Sequence, residues 1–265
     1  MMLIATGLTG TIGRKISCEV KSSKVTLGKD RLIDFLEPGK QEITLIHLGG
    51  IVGEFNVSSD LIYSQKINVD ATLDIAREVI EVFGGRFVHI SSSHVYGPSN
   101  SALKENDTCN PITNYAHQKM LAEQKLLSHF SEEHPGLVIL RVFSVLGWDV
   151  ADFTLGGAAK RILNGSMETI KHSDDIRDFM TPGTIATAIT AVAKDQRIYG
   201  LYNLSTGIGT SVGDAVKSLL KAKNFHVEVG QLVPGFSQTP YIVGDNSKIK
   251  RAGLNSKLQW DPTED

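Results

Sequence analysis

The sequence predicts an α/β protein built on a doubly wound, mostly parallel sheet and completed by a small C-terminal α/β lobe. Three observations predict this class: short apolar runs alternate with segments of helical periodicity, a glycine turn follows the first run, and the alternation loosens after Phe143. Strands that alternate with helices pair in parallel and are covered on both faces. We expect a sheet domain over residues 1–143, completed by about 176–205, and a substrate-binding lobe formed by 144–175 and 206–265.

The individual elements follow from the spacing of apolar residues and from the glycines and prolines between them. The predicted strands cover residues 3–5, 24–27, 43–48, 86–90, 137–143 and 201–204. The predicted helices cover residues 12–20, 67–83, 115–130, 184–193 and 212–222. A ligand of such a sheet binds in the crevice outside the carboxyl ends of its strands, so we expect the site between sheet and lobe.

The composition excludes several classes of protein. A formal charge of −2 over 265 residues provides no basic surface for nucleic acid or an anionic membrane. No apolar run reaches the roughly 20 residues of a membrane span, and the opening segment is too short for a signal peptide, so we expect a cytoplasmic protein. Cys18 and Cys109 lack the spacing of a disulfide framework or a zinc site, and we predict no metal.

A glycine turn with the sequence Thr-Gly-Leu-Thr-Gly-Thr-Ile-Gly follows the first strand, from residue 6 to residue 13. Its G-x-x-G-x-x-G spacing is a variant of the dinucleotide fingerprint, and it lies between a strand and a helix as that motif requires. It predicts a Rossmann-type domain, with a tight turn that binds nothing as the alternative. The cofactor-binding residues predicted here are Gly7, Thr9, Gly10, Thr11, Ile12 and Gly13.

Each glycine of this turn has an expected task. Gly7 permits the tight turn, Gly10 lets the backbone approach a pyrophosphate, and Gly13 allows the helix to pack closely on the strand. The amino end of the following helix would attract the anion.

The choice between NAD and NADP depends on the residues after the second strand. An acidic residue there binds the ribose 2′-hydroxyl of NAD, whereas a basic residue accepts the 2′-phosphate of NADP. Lys29 and Arg31 favour NADP, but Asp30 between them keeps NAD open. A solvated polar turn is the alternative for either basic residue.

Tyr115 and Lys119 form the candidate catalytic pair. They are four residues apart at the start of a predicted helix, and therefore on one face of it. Lowering the pKa of a phenol from about 10 to about 7 requires roughly 4 kcal/mol. One positive charge about 4 Å away at an effective dielectric constant near 20 supplies about that much. We therefore expect Lys119 to lower the pKa of Tyr115, which then exchanges a proton with a substrate oxygen.

Several short motifs in this order resemble the extended short-chain dehydrogenase/reductases of the NAD-dependent epimerase/dehydratase family, which act on nucleotide-activated sugars. The resemblance covers most of the chain and is carried by residues 6–13, Ile46 to Gly50 with Asn68 and Val69, the Ser-Ser-Ser-x-Val-Tyr-Gly run at 91–97, Tyr115-x-x-x-Lys119, Arg177-Asp178-Phe179, and 202–204 with 207–211. It implies hydride transfer between a sugar carbon and a nicotinamide, with Tyr115 moving the proton.

The resemblance also implies roles for further residues. Ser92, four residues before Tyr96, corresponds to the catalytic serine or threonine that holds the sugar oxygen; for Ser91 and Ser93, hydrogen bonds at the strand end are the alternative. Leu48, Gly49, Gly50 and Asn68 join Tyr115 and Lys119 as cofactor-binding residues. The implied substrate-binding residues are Ser93, His94, Ser144 and Arg177.

Two of these substrate residues leave an alternative open. Arg177 matches the position where the family contacts the sugar-nucleotide pyrophosphate, and a local ion pair with Asp174, Asp175 or Asp178 is the alternative. Ser144 replaces an asparagine that is usual in 4-epimerases, which weakens any transfer of their substrate contacts.

His94 departs from the family pattern. Related dehydratases carry a glutamate and GDP-fucose synthases a cysteine two residues before the tyrosine of Val-Tyr-Gly, as an additional acid or base. An imidazole with an ordinary pKa near 6.5 could do that work at neutral pH. The alternative is a histidine that shapes the pocket or lies exposed on the loop.

Three functions remain open from the sequence. The short stretch before Ile43 favours a 4-keto-sugar reductase, whereas the Ser-Ser-Ser-x-Val-Tyr-Gly run favours a nucleotide-sugar 4-epimerase. A non-catalytic dinucleotide sensor is the third, although such proteins commonly lack the Tyr-x-x-x-Lys pair. The family also implies a homodimer formed through the helices that carry Tyr115 and begin at Ile67.

Overall fold

A computed structural model describes residues 1–16, 28–228, 230–254 and 258–263, and the backbone of residues 21–22. Two predicted elements are affected by these bounds. The strand predicted at 24–27 lies outside the described residues, as does the part of the first helix beyond Ile16. What is described of that helix is a single 3₁₀ turn at Gly13–Lys15, not the α-helix that the pattern predicts.

The strands divide between one large sheet and two small ones. The strands are β1 (Met2–Thr6), β2 (Lys21–Ser22), β3 (Ile43–His47), β4 (Arg86–Ser92), β5 (Leu137–Val142), β6 (Ser144–Val145), β7 (Ile176–Arg177), β8 (Phe179–Met180), β9 (Gly200–Leu204), β10 (Thr210–Ser211) and β11 (Tyr241–Ile242). The large sheet has the order β2-β1-β3-β4-β5-β9 and is parallel throughout. The small sheets are β10-β7-β11 and β6-β8.

The helices cover both faces of the large sheet and build the lobe. They are α1 (Glu54–Ser59), α2 (Leu61–Gln65), α3 (Ala71–Arg77), α4 (Asn114–Phe130), α5 (Leu155–Leu163), α6 (Pro182–Lys194), α7 (Val212–Lys221) and α8 (Ser247–Arg251). Two π-helical turns, Lys66–Asp70 and Glu78–Val82, continue α2 and α3 into one helical segment. None of these described helices has the length and apolar character needed to cross a membrane.

Alternation along the strands explains why the sheet is buried on both faces. In β4, Val88 and Ile90 pack toward α6, whereas Phe87 packs on the opposite face, because successive side chains of a strand point to opposite sides. A third core in the lobe joins α5 and α7 around Ile162 and Val216. The predicted fold class, a Rossmann-type parallel sheet with a small C-terminal lobe, is confirmed.

The strand order also locates the crevice. From β1 the chain first builds β2 on one side and then β3 on the other, so the connections leave the carboxyl ends of β1 and β3 in opposite directions. Ligands of open α/β sheets bind at such a switch point.

Candidate active site

The glycine turn meets the loop after β3 at this switch point. Gly7 has a φ of +72°, and a Cβ at this position would lie 2.7 Å from the Gly49 nitrogen. The Gly49 N–H donates to Thr6 Oγ1 at 3.1 Å, which joins the two strand ends. A side chain at Gly7 would separate the loops, so the cradle needs this glycine. Residues 48–53 are called the β3 loop below.

The other residues of the glycine turn fall into two groups. Gly13 is buried against Gly7, where a Cβ would overlap the Gly7 carbonyl oxygen, so it allows the close packing that the motif predicts. Thr9 and Gly10 are exposed at the top of the turn, and Thr11 and Ile12 are half-buried. This open backbone beside a closely packed base has the shape that a pyrophosphate requires.

Asn68 holds the β3 loop from below. It lies in the π turn Lys66–Asp70, where it is 3% exposed. Its amide accepts from the Ile51 N–H at 2.7 Å and donates to the Ile51 carbonyl at 2.9 Å and to Gln118 Oε1 at 2.8 Å. These bonds make Asn68 a support of the loop and of α4, where Gln118 lies. Of the other predicted cofactor residues on this loop, Leu48 and Gly49 are half-buried and Gly50 is exposed.

Ser92 and Tyr115 meet at the carboxyl end of β4. Ser92 is the last residue of that strand, and its Oγ accepts the His94 N–H at 3.3 Å, which caps a short 3₁₀ turn. Tyr115 is the second residue of α4, and its hydroxyl lies near enough to Ser92 for the serine to act on the Tyr115 pKa. The strand end and the helix start therefore bring together the two hydroxyls that the sequence singled out.

Lys119 lies one turn further along α4, on the face turned to the sheet. Its Nζ donates to the Ile90 carbonyl oxygen at 2.8 Å, and the side chain is buried. Burial lowers the pKa of Lys119 to about 8, so the ammonium is still mostly charged at neutral pH.

The expected lowering of the Tyr115 pKa is wrong for the protein on its own. Burial raises that pKa to about 12, and the neighbouring Ser92 offsets only part of the rise. The expectation rested on an attraction by Lys119 that is not among the causes of this pKa, and it left out the cost of removing the phenolate from water. The chain's own groups thus keep Tyr115 protonated at neutral pH.

His94 and Arg177 line the crevice beside this pair. The His94 ring stands edge-on to the Tyr115 ring, with centroids 6.5 Å apart and the planes at 79°. Although His94 is open to solvent, the surrounding cleft desolvates it, and together with the Arg177 charge this lowers its pKa. The imidazole is therefore neutral at pH 7, which fits a base better than an acid.

Arg177 has the local ion pair that the sequence left as the alternative. Its Nη2 donates to Asp175 Oδ2 at 2.8 Å and reaches Ser237 and Thr239 at 3.4 Å each. Asp178 instead accepts from Thr206 and neighbouring backbone N–H groups. The guanidinium remains near His94, so the pair with Asp175 and a contact with a substrate anion are compatible.

The two remaining substrate candidates are less accessible. Ser93 is 1% exposed, and its carbonyl oxygen accepts the Tyr96 N–H at 3.1 Å within the turn. Ser144 is half-buried and begins β6, where its N–H donates to the Asp178 carbonyl at 2.9 Å.

Lys29 and Arg31 are exposed on a separate cleft of about 830 Å³ that lies away from Tyr115. Arg31 Nε lies 3.5 Å from Glu78 Oε1. The lining contains Lys29, Arg31, Lys66 and Arg77, but also Asp30, Asp70, Asp74, Glu78 and Glu81. This balance of charges gives NADP no clear advantage over NAD.

The profile of the NAD dependent epimerase/dehydratase family matches residues 26–205. The chain belongs to this family. The match ends just after β9 and includes the β3 loop, β4 and α4.

The curated relatives are sugar epimerases. UDP-glucose 4-epimerase of Haemophilus influenzae is 28% identical over 254 residues, covering 82% of this chain and 73% of the relative. UDP-arabinose 4-epimerase 1 of Arabidopsis thaliana is 25% identical over 222 residues, covering 73% of this chain. The chain spans only 51% of the length of that second relative.

Solved structures share the whole fold. UDP-N-acetylglucosamine 4-epimerase from Methanobrevibacter ruminantium has a TM-score of 0.82 at 20% identity, covering 98% of this chain and 93% of its own. Thermus thermophilus UDP-glucose 4-epimerase with NAD gives 0.80 at 18% identity, covering 98% and 95%. RMD from Pseudomonas aeruginosa with NADPH gives 0.80 at 19%, covering 99% and 95%. Within this fold, nicotinamide cofactors of both kinds are bound.

Sequence reasoning missed several residues that shape this family member's site. Gln118 donates to Ser64 Oγ at 2.8 Å while it accepts from Asn68, and Glu123 accepts from Ser91 and Arg141. The i, i+4 spacing of Lys119 and Glu123 on α4 was the available signal, but it does not show which strand they face. The short helix α1 was missed entirely, because its six residues carry little apolar periodicity.

Proposed function

We propose that the protein is an NAD(P)-dependent enzyme that moves a hydride at C4 of a nucleotide-activated sugar, and that it is a 4-epimerase. The observation that carries the proposal is the placement of Ser92 beside Tyr115, with Lys119 one helical turn away, at the crevice beside the β3 loop. The sequence alone favoured a 4-keto-sugar reductase. The curated relatives are epimerases of UDP-sugars, and they support the alternative.

The cofactor site is proposed at the glycine turn and the β3 loop. Exposed backbone at Thr9 and Gly10 would hold the pyrophosphate, and the close approach of Gly7 to Gly49 would set the depth of the cradle. A nicotinamide held there would supply the hydride acceptor and, in its oxidised form, a positive charge near Tyr115.

The free energy needed to lower the Tyr115 pKa, compared with what a nearby charge supplies, defines the role of Tyr115. Bringing a phenol from a pKa of about 12 to about 7 requires roughly 7 kcal/mol. One added charge about 4 Å away supplies about 4 kcal/mol at an effective dielectric constant near 20. The pKa of about 12 already includes the effect of the chain's own groups, Lys119 among them, so positive charge brought by a bound cofactor is needed before Tyr115 can act as a base. In the reverse direction, the protonated phenol is ready to donate its proton to a sugar alkoxide.

The remaining residues would orient the sugar nucleotide. Ser92 would donate a hydrogen bond to the reacting sugar oxygen while it contacts Tyr115. Arg177 would bind a phosphate of the nucleotide, since a guanidinium matches that anion with two parallel hydrogen bonds. His94 lies between them and would contact the sugar ring.

A panel of UDP- and dTDP-sugars and their 4-keto forms, incubated with NAD, NADH, NADP or NADPH, tests the proposal. An epimerase interconverts the C4 epimers with no net change in nicotinamide absorbance. A reductase, the second candidate, consumes one reduced cofactor for each 4-keto sugar. Cofactor binding without turnover of any sugar would leave the dinucleotide sensor. The homodimer and the division into domains stay predictions.

A further inference from the structure

We propose that Glu54, the first residue of α1, is a positioning residue that holds Tyr115 in register with the β3 loop. The inference rests on the proposed function, because Tyr115 is the proton-transfer group there. Nothing in the sequence motifs marks Glu54; its role emerges from how α1 packs against the first turn of α4.

The amino end of α4 carries donors that the helix itself cannot satisfy. The first N–H groups of any α-helix have no carbonyl four residues earlier within that helix. Thr113 Oγ1 accepts the Ala116 N–H at 3.2 Å as the N-cap. The Tyr115 N–H donates instead to Glu54 Oε2 at 3.0 Å, across from another helix. The backbone of the proposed catalytic tyrosine is thus held by a carboxylate 61 residues away in the chain.

The carboxylate is itself oriented from both sides. The Ser58 hydroxyl donates to Glu54 Oε1 at 2.7 Å, and Asn114 Nδ2 donates to Ser58 Oγ at 3.0 Å. Partial burial raises the pKa of Glu54, but the bonds from Tyr115, Ser58 and Asn114 outweigh this and leave the pKa below its usual value. A negative charge at the amino end of a 17-residue helix is also favoured by the helix dipole.

The contact between Glu54 and Tyr115 joins the segment that follows the proposed cofactor loop to the helix that carries the proposed proton-transfer group. The β3 loop runs directly into α1, and the Val57 N–H donates to the Gly53 carbonyl at 3.1 Å. Asn68 holds the same loop at Ile51 and contacts Gln118 of α4. Asn68 therefore joins the β3 loop to α4 from inside, while Glu54 and Ser58 of α1 join the segment that follows the loop to α4 at the surface. Of these described contacts, the bond from Glu54 is made to the backbone of the tyrosine itself.

The test compares four variants with the wild type. Glu54→Ala removes the acceptor, and Glu54→Gln keeps a side-chain oxygen without the charge. Ser58→Ala removes only the group that orients Glu54. Glu132→Ala is the matched control, because Glu132 lies just beyond the other end of α4 and accepts from Lys248 across from another helix.

The first readout is amide hydrogen exchange by NMR and needs no substrate. Since the Tyr115 N–H has no intrahelical acceptor, its protection in the wild type reports the bond to Glu54. We expect Glu54→Ala to speed exchange at Tyr115 about tenfold, and Glu132→Ala to leave it unchanged. Equal exchange in wild type and Glu54→Ala would overturn the contact, whatever the protein catalyses.

The second readout is turnover of the sugar found in the substrate panel. We expect Glu54→Ala to lower kcat about tenfold and Ser58→Ala less, with substrate KM within about threefold, because misplacing a reacting group slows the chemical step. Glu54→Gln should recover most of kcat. A normal kcat in Glu54→Ala, or an equal loss in Glu132→Ala, would overturn the positioning role. If exchange responds as expected while no sugar turns over, the proposed function fails and the contact stands.

Discussion

The two sides of the crevice are built differently. On the sheet side, the polar groups beneath the site are buried and bonded to one another, as with Asn68, Gln118 and the pair of Glu123 with Arg141. On the lobe side, strands of two residues carry Arg177, and large apolar side chains such as Phe153 and Phe236 are 65% and 64% exposed.

We expect this difference to separate the proposed chemistry from recognition. Buried hydrogen bonds fix Gln118 and Glu123 on α4, the helix that carries Tyr115 and Lys119, and the proposed proton transfer requires small tolerances of this kind. Short strands and open loops tolerate substitution, so the lobe could change the substrate while the sheet side kept the proposed reaction. Four substitutions test this division.

The largest effect is expected on the sheet side. Tyr115→Phe removes the only atom proposed to exchange the substrate proton while it keeps the ring in place. We expect kcat to fall about a thousandfold, with cofactor affinity unchanged, as measured by steady-state kinetics and equilibrium titration. Tyr199→Phe, at a residue that is 43% exposed, serves as the control. Retention of a tenth of the activity in Tyr115→Phe would remove the tyrosine from the mechanism.

On the lobe side, Arg177→Ala should change binding more than chemistry. Loss of a charge-assisted contact to a phosphate should raise substrate KM about thirtyfold, with kcat within about threefold. Arg161→Ala breaks another ion pair of the lobe, with Glu168, and should leave KM unchanged. If Arg177→Ala lowered kcat and spared KM, the guanidinium would belong with the chemical groups, and the division between the two sides would fail.

The buried histidines of the sheet side should make the protein's free energy of unfolding depend on pH. His47 lies between Thr6 and Thr72, and burial, reinforced by the Lys119 charge, lowers its pKa to about 3. Because the unfolded chain takes up a proton below pH 6.5 and the folded protein does not until about pH 3, stability falls as the pH drops through that window. At pH 5 the loss from His47 is about 2 kcal/mol.

A substitution of His89, whose ring stacks on that of His47, measures how buried histidines make the free energy of unfolding depend on pH. Burial also lowers its pKa, and among the described residues neither ring nitrogen has a hydrogen-bond partner. His89→Leu should therefore reduce the slope of unfolding free energy against pH, between pH 5 and 6, by about 1.4 kcal/mol per unit. Urea denaturation measures the slope, and the exposed His117→Gln should not alter it. An unchanged slope in His89→Leu would show that His89 binds a proton in the folded protein.

The smallest effect is expected at His94, which lies where the sheet side and the lobe side of the crevice meet. The His94 ring stands edge-on to the Tyr115 ring and the Arg177 charge helps to lower its pKa, but the imidazole is exposed to solvent. We expect His94→Gln, which keeps the size and the polarity, to lower kcat about threefold at pH 7.5. Steady-state kinetics between pH 6 and 9 check this. A loss approaching that of Tyr115→Phe would instead make His94 an additional base.

Much of the sheet and of the reacting pair was predictable because both depend on local spacing. Apolar alternation located β4 and α4 to within two residues, and the four-residue interval of Tyr115 and Lys119 placed them on one helix face. The glycines of the turn were recognisable because Gly7 must adopt a positive φ and Gly13 must pack without a side chain.

What escaped prediction involves contacts between distant segments. The sequence by itself determined the candidate groups, each recognisable from its neighbours in the chain. Two hydroxyls and one ammonium are the candidates for the reaction, and the glycine turn is the candidate for holding the cofactor. Only the tertiary structure decided their state. It buries Tyr115 and raises its pKa, pairs Arg177 with Asp175, and brings Glu54 to the Tyr115 backbone. The physical reason is that desolvation and cross-helix hydrogen bonds depend on which surfaces meet, and spacing along one segment carries no information about the surface that will cover it.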